Sequence, residues 1–144
     1  MSSIEELIEK DGIYVGLTKG GSMRPMLREG RDTVFISPVV NRLKKYDVPL
    51  YRKGESYVLH RIIRVTDDGY VICGDNCLFL EYVKDETLVG VLSGFRRDDK
   101  YISMDNFLYL LYTRIWVFLG PVRRFFMRMR GVMHRFYRRI FPKK

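Results

Sequence analysis

The sequence predicts a mainly β fold, one small domain followed by a helical extension, and three observations carry that expectation. Between Ile13 and about Tyr101 the chain is a series of short β-prone runs separated by turn residues. Beyond residue 106 an apolar stretch runs to Gly120-Pro121, and after Pro121 apolar residues recur at helical spacings. Charge divides near the same place. Residues 1–122 hold 17 Lys/Arg against 17 Asp/Glu, whereas 123–144 hold the remaining 9 of the 26 basic residues and no acid, so the net charge of +9 belongs to the tail. At 144 residues and 47% hydrophobic content the chain is long and apolar enough for a real core, which excludes a disordered polymer. The expected division is a β domain over 1–105 and an apolar, Arg-rich tail over 106–144.

Taken in order, Ser3 followed by Glu6 reads as a capping box that opens a short acidic helix over residues 4–10, and nothing there resembles a secretory signal. The β-prone runs come next, at 13–15, 33–36, 47–51, 57–65, 70–72 and 88–95. Asp67-Asp68-Gly69 supplies a hairpin turn, and Pro49 marks its run as an edge strand or a bulge. In the run over 57–65, period-two alternation puts His60 on one face with Val58 and Ile62 and sends Arg61 to the other. Cys73 and Cys77, with only two histidines in the chain, are too few for a zinc set, so no metal and no cofactor is expected and the thiols read as idle.

In the tail, residues 107–119 are interrupted by Arg114 and fall short of the roughly 20 apolar residues a membrane span needs. After Pro121, Val122, Phe125, Phe126, Met129, Val132, Met133, Phe136, Tyr137, Ile140 and Phe141 form a helical stripe, with seven arginines from Arg123 to Arg139 on the remaining surface. A core-facing helix has no need of so many arginines without acids. Residues 122–144 are therefore expected to lie on an anionic membrane surface, giving a peripheral protein on the cytoplasmic side. Nucleic acid binding through the basic tail is the alternative; the continuous apolar stripe argues against it.

The stretch Gly20-Gly21-Ser22-Met23-Arg24-Pro25-Met26-Leu27 is composed like a loop that presents one hydroxyl: two glycines give backbone freedom and room for a substrate, and Pro25 stiffens the turn on its far side. Read alone it is also an ordinary glycine-serine turn, and His60 is also an ordinary core histidine. Taken together, Gly-Ser22-Met23-x-Pro25-x-Leu27, His60-Arg61-Ile62 and Gly74-Asp75-Asn76 resemble, in order, the signal peptidase superfamily of serine endopeptidases. They are closer to its archaeal and endoplasmic-reticulum branch, which pairs serine with histidine, than to the bacterial branch, which uses lysine.

The resemblance implies a small signal-peptidase-like β domain in which Ser22 attacks the scissile carbonyl and His60 is the general base. It implies Asp75 as the acid that orients His60, with Glu81 as the alternative, and an oxyanion site in the loop of Gly20, Gly21, Met23 and Pro25. The substrate implied is a signal, leader or other precursor peptide, bound as an added β-strand, for instance along the run over 47–51, and carrying small side chains before the cleaved bond. A non-catalytic peptide-binding module of the same fold stays open beside it.

Overall fold

The computed structural model describes residues 3–140. Strand slightly outweighs helix, as the fold class expected. The chain opens on α1 (Ile4–Asp11), with Ser3 and Glu6 forming the reciprocal capping box and Gly12 closing it in the left-handed conformation. Nine strands come after it: β1 (Tyr14–Leu17), β2 (Thr33–Ser37), β3 (Pro49–Lys53), β4 (Ser56–Leu59), β5 (Arg61–Thr66), β6 (Gly69–Cys73), β7 (Glu81–Lys84), β8 (Leu88–Arg97) and β9 (Lys100–Ser103). Two helices follow, α2 (Phe107–Phe118) and α3 (Gly120–Ile140).

The strands form two antiparallel sheets. The larger runs β1-β2-β8-β3-β4, with β9 also paired to β8, and the smaller is β5-β6-β7. There are two core clusters: Met23, Leu27, Val34, Ile36, Leu50, Leu92 and Phe95 belong to the first, and Tyr51 of the larger sheet joins Ile62, Tyr70, Ile72 and Val83 of the smaller in the second. The nine-residue run over 57–65 is not one strand. It breaks at His60, where the chain leaves the larger sheet after Leu59 and enters the smaller at Arg61. Alternation persists through the break, so Arg61 is buried towards Met26 and Tyr109 of the first core while Ile62 enters the second.

Two expectations are corrected here. The run over 47–51 does not lie at an edge, since β3 is paired on both sides; the other reading of Pro49, a bulge, fits the register shift against β8 at Leu50/Tyr51, with Pro49 as the first residue of the strand. In the larger sheet β1, β4 and β9 each pair on one side only, as β5 and β7 do in the smaller. The tail is also not a uniform appendage beginning at residue 106. Asn106 caps α2 through bonds from the amides of Leu108 and Tyr109. One face of α2, with Tyr109 and Thr113 buried and Tyr112 and Trp116 hydrogen-bonded inward, packs onto the domain. Its opposite face, including Leu108, Leu111, Ile115 and Phe118, is exposed.

The amphipathic helix expected after Pro121 is α3, whose Val122, Phe125, Phe126, Met129, Val132, Met133, Phe136, Tyr137 and Ile140 are all exposed. Phe141 and the rest of the basic end lie outside the described residues. Among the described residues no helix is long and apolar enough to cross a membrane.

Candidate active site

Ser22 sits on the loop between β1 and β2, and the residues after it fix its position: Met23, Met26 and Leu27 are buried in the first core. Gly20 takes a positive φ of 77°, and the Arg24–Pro25 peptide is cis. A second loop, after β6, clamps the first. Asn76 donates from its backbone amide to the Ser22 carbonyl at 2.7 Å and from Nδ2 to the Gly21 carbonyl at 3.2 Å. His60 projects from the junction between the two sheets into the same space.

Gly74 is the point where the three segments meet. A β-carbon built there would lie 2.7 Å from the Ser22 carbonyl oxygen, 2.6 Å from Cys77 Sγ and 3.0 Å from His60 Cδ2, with backbone and a constrained ring among the neighbours. Only glycine lets the serine loop and the imidazole approach this closely.

The His60 ring is held through Nδ1, which lies 3.2 Å from the Tyr51 hydroxyl; that hydroxyl lies 3.3 Å from Glu81 Oε2. Lys53, 2.7 Å from Glu81, keeps the Glu81 carboxyl ionised and below its ordinary pKa. An ionised carboxylate only accepts, so the single Tyr51 proton is committed to Glu81 and its oxygen accepts from Nδ1–H. The network thus assigns the tautomer with its lone pair on Nε2, the form a general base requires. Burial lowers the His60 pKa, and the nearby Glu81 charge opposes that shift in part, so the ring is neutral at pH 7. Burial and the neighbouring Glu81 raise the Tyr51 pKa, keeping it a neutral phenol.

Asp75, expected to orient His60, is placed elsewhere. It grips the buried Arg61 side chain through two bonds of 2.8 Å, from Nε and Nη2, and accepts from the Tyr112 hydroxyl at 3.0 Å. The guanidinium also reaches the Tyr46 carbonyl and the Tyr109 hydroxyl. Burial works against the Arg61 charge, but the Asp75 bonds outweigh it, so its pKa is raised. The acid facing His60 is Glu81, whose Oε1 is 3.9 Å from Nδ1.

Three contributors escaped sequence reasoning. Tyr51 read only as a strand residue. Asn76 entered only as the last residue of the Gly74-Asp75-Asn76 motif, with no role of its own. Cys77 read as an idle thiol, yet its Sγ is 4.0 Å from both His60 Nε2 and the Ser22 carbonyl. Burial, and then Glu81, push the Cys77 pKa up, so it is a thiol rather than a thiolate. Arg123, expected on the helix surface, turns inward: it stacks on Trp116 at 3.8 Å and donates to the Asp75 carbonyl, which Trp116 Nε1 also reaches at 3.1 Å. The α2–α3 junction therefore braces the loop that holds Ser22.

Among the described residues the amides of Ser22 and Met23 donate to no protein group, and Ser22 Oγ makes no hydrogen bond to the ring. No group of histidine, cysteine and acidic side chains there could hold a metal ion. Beside Ser22 opens a groove of about 530 Å³ between β1 and β4. No family model matches the chain, and no curated protein matches its sequence.

Proposed function

We propose that the chain is a serine endopeptidase of the signal-peptidase kind, cleaving signal, leader or other precursor peptides at an anionic membrane surface. The observation that carries this reading is the arrangement around Gly74: the serine loop on one side, and on the other an imidazole whose Nδ1 is committed to the Tyr51–Glu81 relay. Nε2 is left as the base. Ser22 Oγ attacks the scissile carbonyl carbon as Nε2 takes its proton, the amides of Ser22 and Met23 hold the oxyanion, and the C–N bond breaks as the proton passes to the leaving amine. Water, activated by the same nitrogen, then releases the acyl group from Ser22. The absence of a ground-state bond from Ser22 Oγ to the ring is common in unliganded sites, where such contacts tighten when substrate binds. Substrate docks as an extended strand along the free edges of β1 and β4, which border the groove.

The membrane reading rests on α3, whose exposed apolar stripe lies among arginines with no acid in reach of sequence. Aromatic and aliphatic side chains enter the headgroup boundary and each arginine near the surface adds about 1 kcal/mol. Anionic vesicles, rather than oligonucleotides, are the expected partner in co-sedimentation.

A fluorophosphonate probe tests the chemistry. Labelling that is lost in Ser22→Ala and strongly reduced in His60→Ala supports the enzyme, and Ser22→Ala should fold normally, since one hydroxyl on a loop adds little to the core. Unchanged labelling in Ser22→Ala would sink the assignment. The second reading, a peptide-binding module without catalysis, is favoured by the Cys77 thiol as the near neighbour of Nε2. It predicts peptide binding with no labelling of Ser22.

A further inference from the structure

We infer that the groove beside Ser22 selects an extended peptide with bulky apolar side chains, and that Tyr14, folded against Gly16, sets its width. The inference rests on the peptidase reading for its consequence but on the groove's own geometry for its argument. Tyr14 and Leu17 of β1 form one wall, Tyr57 and Leu59 of β4 the other, and Ile36 and Leu50 the floor, with Ser22 at the lining. Among the described residues that line it, Lys19 alone is charged.

Size decides against a substrate with only small side chains. A cavity of about 150 Å³ is enough to take up a benzene molecule, so about 530 Å³ accommodates a stretch of backbone and two or three side chains of leucine or phenylalanine size. Alanines would leave most of that apolar wall facing water or a void, forfeiting the burial that binding draws on. Because β1 and β4 each pair on one side only, the unpaired groups of both edges are available to the peptide backbone. Alternate residues of a docked strand point the same way, so the selected side chains fall two apart.

Gly16 is what keeps this groove wide. Its α-carbon lies beneath the Tyr14 ring, and a β-carbon there would come within 2.6 Å of Tyr14 Cζ and closer still to the hydroxyl. A larger residue at 16 must displace the ring, and the ring already lines the groove. Tyr14 is thus a specificity-determining residue that acts by where it lies, and Gly16 is the residue that lets it lie there.

The test uses three fluorescein-labelled peptides of about ten residues, with leucine, alanine or tryptophan at three alternate positions. Binding is measured on Ser22→Ala protein by fluorescence anisotropy, and turnover on wild type by mass spectrometry. The leucine peptide should bind tighter by tenfold or more, the discrimination expected for several methylenes in an apolar site. Adding Gly16→Ala should bring the ratio within about threefold, and Tyr14→Ala should instead admit tryptophan in place of leucine. Equal affinities, tighter binding of the alanine peptide, or a ratio that neither variant moves would overturn the inference. If Gly16→Ala does not fold, Tyr14→Ala decides alone. Discrimination in binding with no turnover by wild type would support the groove and refute the peptidase, so the two proposals fail separately.

Discussion

Replacing Asp75 with asparagine separates two roles for that carboxylate, because its surroundings predict a loss of stability and not of chemistry. The Arg61 and Asp75 side chains are 0% and 2% exposed, and asparagine keeps the shape but removes the charge that balances a guanidinium taken out of water. Breaking one partner of such a buried pair costs about 3 to 5 kcal/mol. At roughly 4 °C per kcal/mol for a chain of this size, Tm should fall by about 10–20 °C. Urea unfolding followed by Trp116 fluorescence is a suitable assay, since Trp116 is the only tryptophan and bonds to the Asp75 carbonyl. Below the new midpoint, the pH dependence of turnover should match that of wild type. Arg61→Met combined with Asp75→Asn should cost less than the two single changes added together, because no charge is then left unpaired. An Asp75→Asn protein with wild-type stability and no turnover would show that this acid acts on His60 after all.

Glu81→Gln removes the charge that holds the His60 pKa up against burial, so the acid limb of kcat/KM should move to lower pH, with a reduced plateau from the weakened Tyr51 relay; a limb that stays in place would remove Glu81 from the site. Truncation after Asp105 takes away the buried Tyr109 and Thr113 and should unfold or aggregate the domain, whereas truncation after Arg124 should keep it folded and lose only binding to anionic vesicles, as judged by circular dichroism and flotation. Replacing Arg128, Arg130 and Arg135 with glutamine should weaken vesicle binding most visibly at low salt, where screening is small.

The β class was legible because turn residues punctuate the runs, and α3 because its stripe keeps one period for five turns. The break at His60 was not, since a strand that changes sheet over a single residue leaves the alternation intact. The four-residue β7, charged at both ends, and β9, just beyond the last run, were not read as strands. In α2 the face that packs on the domain was not read. Its aliphatic side looks like the core face, yet the structure buries the side with Tyr109, Tyr112, Thr113 and Trp116; the Tyr109 hydroxyl meets Arg61, and the Tyr112 hydroxyl and Trp116 indole meet the Asp75 carboxylate and carbonyl. Hydroxyl and indole groups at that spacing were the available signal, and their partners lie more than thirty residues away. The choice of acid was half legible: the motif resemblance put Asp75 first and Glu81 second, and Glu81 is the one that faces His60, because β7 pairs with β6 and carries it to the ring.

The thiol beside the imidazole bears on how such an enzyme would be typed by reagents. Peptidases are sorted by what inactivates them, and a maleimide or iodoacetamide adduct on Cys77 would sit 4.0 Å from Nε2, between the base and the serine loop. Alkylation would therefore abolish turnover by an enzyme whose nucleophile is a hydroxyl, and an inhibitor panel would assign it to the cysteine class. Cys77→Ala should make the activity resistant to alkylation while leaving the fluorophosphonate adduct on Ser22 intact.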